Sequence, residues 1–199
     1  MRKGELTHQT ILEKGIRLAS RVGLQGLSIG GLADELGLSK SGLFAHFKSK
    51  TALQVEVLEA ATAAFTEHVI RPALTKPRGE PRVRALFDGW LAWDRDQLLE
   101  GGCIFVAASV ELDDAPGPAR DKLVQTQRDW LDVLAQAARI AVAEGHFRKD
   151  VDVDQFAHDE YAVMLGFHHA QRLMRDPLAE TRARRAFEAL LTAARAPAP

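Results

Sequence analysis

The 199-residue sequence is poor in the features that mark several large protein classes. It has one cysteine, Cys103. An intramolecular disulfide is impossible, so a disulfide-stapled scaffold is excluded and a reducing, cytoplasmic setting is expected. Long apolar runs are also missing. The uncharged stretch from Ile104 to Val110 covers seven residues, far short of the roughly 18 that a membrane helix needs. Met1-Arg2-Lys3 opens as a signal peptide does, but Gly4 to Gln9 is too polar to form its apolar core. No run reads as a β-strand and no repeat of fixed period is present. A glycine-rich phosphate loop, which follows a strand, therefore has no place to form.

Apolar residues make up 46% of the chain, enough for a sizeable core. Charged residues at 27% match the globular average, which excludes wholesale disorder and rod-like architectures. The length suits one domain with a small appendage. A net charge of −1 conceals a division. Residues 1–50 carry eight basic and four acidic side chains, an excess of +4, and the remainder carries 18 basic and 23 acidic, or −5. A basic head on an acidic body points to a polyanion at the head alone. A chance surface excess accounts for the same figures.

Helical periodicity dominates. Thr7 is the expected N-cap of a first helix with Ile11, Gly15, Leu18, Ala19 and Val22 on one face. Ser28 caps a second with Ile29, Leu32, Ala33 and Leu36, which Gly37 terminates. Ser39 caps a short third helix holding Leu43, Phe44 and Phe47. Ser49 caps a fourth that Pro72 is expected to end, with a loop over 72–81. Five more helices follow at about 82–99, 103–112, 118–145, 153–175 and 178–195. The total is nine, with fraying expected at the terminal Ala-Pro-Ala-Pro. The fold expected is all-α.

The second and third helices form a pair of functional interest. A helix of about eight residues, a turn at Gly37-Leu38 and a second capped helix is the helix-turn-helix arrangement. In it the second helix enters the major groove while the first crosses the backbone. Lys40 and Ser41 lie at the start of that second helix, where free N–H groups favour phosphate. Gly42 permits close backbone approach, and His46, Lys48 and Lys50 extend a cationic, hydrogen-bonding edge. Leu43 and Phe47 point inward. An ordinary αα-corner with a basic rim fits the same residues.

The stretch Leu27 to Lys50 resembles the DNA-binding head of the TetR family of transcriptional regulators. It carries that family's pattern as Gly37-Leu38-Ser39, then Leu43-Phe44-Ala45-His46-Phe47, then Lys50. The match covers about residues 7–55. The resemblance implies residues 1–50 as a helix-turn-helix DNA-binding domain and 51–199 as a helical effector-binding and dimerisation domain. It implies a homodimeric regulator, a repressor by default, that binds palindromic operator DNA and is released by a small ligand. By position, Ser28 and Ser39 cap helices and touch phosphate, Lys40, Ser41 and Gly42 face base edges, and Ala45 offers an apolar contact. His46 and Lys50 take phosphate-clamp positions, with Lys48 beside them. Phe44 replaces the usual tyrosine, so its phosphate hydrogen bond is lost and a thymine-methyl contact remains. Gly30-Gly31 replaces larger residues, at roughly 1–2 kcal/mol of helix propensity. Few base-reading side chains remain, so recognition is expected to rest on phosphates and DNA shape.

In the body, Trp90, Trp93, Phe105, Trp130, Leu134, Tyr161, Met164, Phe167 and His168 are candidate walls of a ligand pocket. They serve equally as plain core. An apolar or aromatic ligand is expected, with no charged anchor evident. Phe156, Val163, Leu173, Phe187, Leu190 and Leu191, from the last two helices, are expected at the dimer interface. The competing class is a metal-binding or hydrolytic all-α protein built on His158, Asp159, His168 and His169. One helix supplies too few converging ligands for such a site, so no metal, cofactor or catalytic residue is assigned.

Overall fold

The computed structural model describes residues 8–96 and 99–197. Thr7, the expected cap of the first helix, lies outside the described residues, as do the last two residues of the chain. Among the described residues nine helices account for the fold. They are α1 (His8–Val22), α2 (Ile29–Leu36), α3 (Lys40–Phe44), α4, α5 (Glu80–Asp94), α6 (Ile104–Leu112), α7 (Pro118–Ala143), α8 (Val153–Arg172) and α9 (Ala179–Ala194). The fourth is a continuous rod made of Lys50–Phe65, a π-helical turn Thr66–Ile70 and Arg71–Leu74. The one extended pairing among the described residues is an isolated bridge between Phe147 and Arg195.

Pro72 does not end α4. Proline has no N–H to donate, and its ring clashes with the carbonyl four residues back. The rod meets this by widening one turn ahead of it, where the Arg71 amide donates to Thr66 O, five residues back. A π turn re-registers the ladder and lets the helix run past the proline. The loop shrinks accordingly, and α5 begins at Glu80 after Gly79, which takes φ +91°. At its other end α5 stops at Asp94, short of the expected 99, because the Arg95 amide turns back to Ala92 O at 3.2 Å.

The chain divides into two compact units, Met1–Ala64 with Asp96–Gln125, and Phe65–Arg95 with Thr126–Pro199. In the first, Ile11, Leu24, Leu32, Leu43, Phe47, Leu53 and Val57 are fully buried. Gly15 is needed where α1 approaches α4, since a β-carbon there lies 2.8 Å from Val57 Cγ2. The turn between α1 and α2 is tied down through its backbone. Gln54 Nε2 donates to Leu24 O at 2.8 Å and Lys50 Nζ to Gln25 O at 2.5 Å. The Gln25 amide donates to Glu111 Oε2 at 2.9 Å.

The second unit is an aromatic core closed by ion pairs. Phe87 of α5 stacks on Phe187 of α9 with centroids 3.9 Å apart and planes 6° off parallel. Trp90 meets Phe167 edge-on at 6.5 Å. At one end Arg195 donates twice to Glu80, at 3.0 and 2.7 Å, and Arg84 bridges Glu80 to Glu188, each at 2.8 Å. Among the described residues no helix is long and apolar enough to cross a membrane.

Candidate nucleic-acid interface and ligand core

The helix-turn-helix is set by three caps, two of them serine side chains and the third a glycine backbone. Ser28 has extended backbone, φ −136° and ψ 153°, and its Oγ accepts from the Gly31 amide at 3.0 Å. Gly37 adopts φ +63°, a left-handed cap that most side chains resist, and its amide returns to Asp34 O at 3.2 Å. Ser39 Oγ then accepts from the Gly42 amide at 3.1 Å and starts α3. Ser49 does the same for α4 through the Ala52 amide at 3.0 Å. Leu43 and Phe47 are fully buried and pin α3 to the core of the first unit. Its other residues face outward.

Ser39, Lys40, Ser41, Gly42, Phe44, Ala45, His46, Lys48 and Lys50 are all exposed, and Ser28 is half-buried. Phe44 stands 56% exposed, unusual for a phenylalanine with so small a neighbourhood to hide in. His46 packs beside His8, with ring centroids 5.7 Å apart. Lys40 lies back along α2. Its Cε is 3.4 Å from where a β-carbon on Gly30 would stand, so the lysine stem rests over that glycine. Lys50 differs from the expected phosphate clamp in one respect. Its ammonium already serves Gln25 O, which makes it a strut of the α1–α2 turn as well as an exposed charge.

Eight of the nine candidate pocket residues belong to the second unit. Phe105, on α6, belongs to the first and is buried there. Trp90, Trp93, Trp130, Leu134, Met164 and Phe167 are buried, and Tyr161 and His168 are half-buried. Phe65 of α4 joins them, perpendicular to Trp93 at 5.4 Å and to Trp130 at 4.9 Å. Tyr161 Oη donates to Gln127 Oε1 at 2.7 Å, which links α8 to α7. His168 Nδ1 lies 2.6 Å from Asp94 Oδ1, with the aspartate fully buried. The indole N–H groups of Trp93 and Trp130 are buried without a hydrogen-bond partner among the described residues. The same is true of both carboxyl oxygens of Glu160, a fully enclosed residue whose pKa burial pushes well above the usual carboxylate range.

Glu160 is a buried acid that the sequence reading did not single out. Its signal was present in the sequence as an acid on an apolar stripe, three residues after Ala157 and four before Met164. Phe65 falls on the inner face expected of α4, but its contacts with Trp93 and Trp130 join three helices and cannot be read from the periodicity of one.

The expected interface set is only partly available to a partner. Phe156, Phe187 and Leu191 are buried in the chain's own core, Phe187 against Phe87 and Phe156 against Phe147 at 5.2 Å. An apolar stripe does not say whose surface covers it, and here the same chain does. Val163 and Leu190 are half-buried, and Leu173 is 71% exposed beside exposed Met174 and Leu178. The histidines of the competing reading do not converge. His158 and His169 are exposed, Asp159 accepts from Gln155 at 2.8 Å, and His168 is engaged by Asp94. Among the described residues no three His, Cys, Asp or Glu side chains are placed to share a metal ion.

Comparison with known proteins places these features. Residues 11–57 match the family model for bacterial regulatory proteins of the tetR family. Residues 79–187, more than half of the chain, match the model for the tetracyclin repressor-like C-terminal domain. No curated protein matches by sequence. A TetR transcriptional regulator from Chloroflexus aurantiacus shares 24% identity, with 96% of each chain covered and a TM-score of 0.83. A transcriptional regulator from Saccharomonospora viridis, solved with choline, shares 22% identity over 93% of this chain and 95% of its own, at a TM-score of 0.80. AibR, solved with isovaleryl coenzyme A and operator DNA, shares 23% identity over 90% and 97%, at 0.69.

Proposed function

The chain belongs to the TetR family of transcriptional regulators, and from that premise we propose that it is a repressor which binds a roughly palindromic operator as a homodimer and is released by a small molecule. Residues 1–50 are the DNA-binding domain in this reading, and 51–199 hold the effector and the partner subunit. The observation that carries it is the capped pair α2–α3. Leu43 and Phe47 anchor α3 inward, while Lys40, Ser41, Phe44, Ala45 and His46 all face solvent. A helix held this way fits a major groove.

The effector half of the reading draws support from the neighbours solved with isovaleryl coenzyme A and with choline. It draws more from a core that holds buried indole N–H groups and a carboxyl without partners among the described residues. A ligand that prefers one conformation of the body shifts the population away from the form that fits operator. A hundredfold loss of operator affinity requires about 2.7 kcal/mol of coupling. No reaction is assigned to the chain.

Gel retardation tests the DNA half. The double variant Lys40→Ala/Lys48→Ala leaves the buried face of α3 intact and removes two exposed cations. Loss of the Lys48 phosphate contact lowers the slope of log affinity against log salt by about 1, and loss of Lys40 relaxes discrimination at the base edge it faces. Retardation identical to that of the unmodified protein contradicts the assignment.

A further inference from the structure

We propose that the molecule held by the second unit is a small organic cation, a protonated amine or quaternary ammonium on an apolar body, with its charge met by Glu160. The proposal rests on the reading that the C-terminal helices bind an effector, and it names the effector's class.

Several other acids of this unit have basic partners. Glu80 and Glu188 meet Arg84 and Arg195, Glu180 meets Arg95 and Arg184, and Asp94 meets His168. Among the described residues Glu160 has none, and it is the most enclosed of the glutamates named here. A carboxylate sealed in apolar surroundings is strongly disfavoured unless a cation or hydrogen-bond donors meet it. Burial accordingly raises the carboxyl's pKa well above the usual carboxylate range.

The surroundings suit an organic cation better than a metal or a lysine. Ala157, Met164 and Phe167 share the buried stripe of α8 with Glu160. The next residue, Tyr161, reaches Gln127, which stands three residues before Trp130 on α7. Trp130 and Trp93 flank Phe65, so three aromatic rings lie in this core. Ring faces attract ammonium groups, most strongly where water is excluded. A neutral hydrocarbon leaves the Glu160 carboxyl unmatched, and an anion is repelled by it. A cation takes the place of the carboxyl proton, which leaves to solvent.

The test uses the full-length protein, tryptophan fluorescence and calorimetry. The probes are two matched pairs, phenyltrimethylammonium with tert-butylbenzene and benzylamine with benzyl alcohol. The cations are expected to bind at least tenfold more tightly than their neutral partners. Glu160→Gln is expected to abolish that preference, and Trp93→Phe/Trp130→Phe to weaken cation binding while leaving the rings in place. Glu160→Met provides a second charge-free variant should the glutamine fold poorly. Equal binding of cation and neutral partner, retention of the preference without Glu160, or no binding of either cation overturns the proposal. Neutral ligands that release DNA without any preference for charge overturn it and leave the effector reading standing. Cations that bind through Glu160 and leave DNA retardation unchanged support it and overturn release.

Discussion

Gly15 and Gly30 are both helical glycines, and their neighbours give them opposite roles. At Gly15 a β-carbon meets Val57 Cγ2 at 2.8 Å, and a valine in a helix has little rotamer freedom to yield. The propensity gain of Gly15→Ala, about 1 kcal/mol, is outweighed by overpacking of roughly 1–3 kcal/mol, so this variant loses stability. At Gly30 the new methyl meets only the flexible end of Lys40 at 3.4 Å. Gly30→Ala therefore gains up to about 1 kcal/mol. Urea unfolding of the two variants should move the midpoints in opposite directions. A shift in the same direction contradicts this account of α1 and α2. The caps at Ser28, Gly37 and Ser39 were legible because each satisfies a local backbone need. The lysine resting over Gly30 was not, because it joins residues from two helices.

At the scale of elements, α5 and α9 are joined by a polar clasp as well as by the Phe87–Phe187 stack. Hydrogen bonds from Arg195, with help from Arg84, hold the Glu80 carboxyl below its ordinary range, and Arg84 does the same for Glu188 with Arg195 assisting. A carboxylate depressed in the folded state binds fewer protons there than in the unfolded chain. Its contribution is therefore present above the ordinary carboxylate range and is lost as pH falls through the depressed values. Glu80→Gln should lower Tm at neutral pH by roughly 2–4 °C, equivalent to about 1 kcal/mol for a chain of this size, since the exposed arms of the clasp are screened. It should also flatten the acid limb of the stability profile, and high salt should shrink the difference. An unchanged acid limb rules the clasp out as a stabilising unit. The rod α4 shows where local rules stop. Pro72 is a helix breaker on its own, and only the π turn before it reveals that the helix continues.

For the molecule as a whole, the helix count was legible because Gly, Pro and Ser punctuate a chain whose apolar residues keep helical spacing almost throughout. The recognition pair was legible for the same reason, sharpened by a dense motif from Gly37 to Lys50. Periodicity marks a buried face without naming what covers it. That is why Phe156, Phe187 and Leu191 read as interface and are core. Glu160 shows the converse, since one acid on an apolar stripe becomes informative only once burial and the lack of a partner are seen. The basic head and the projecting α3 make sequence-selective DNA binding the central claim. Selection of genomic DNA fragments by the purified full-length protein, with the recovered fragments sequenced and their affinity measured across a salt series, tests it most directly. The account predicts recovered fragments that share an inverted repeat, with half-site centres spaced by about one helical turn or a multiple of it, and affinity that falls steeply with salt. Recovery of unrelated fragments, or affinity indifferent to salt, would contradict it.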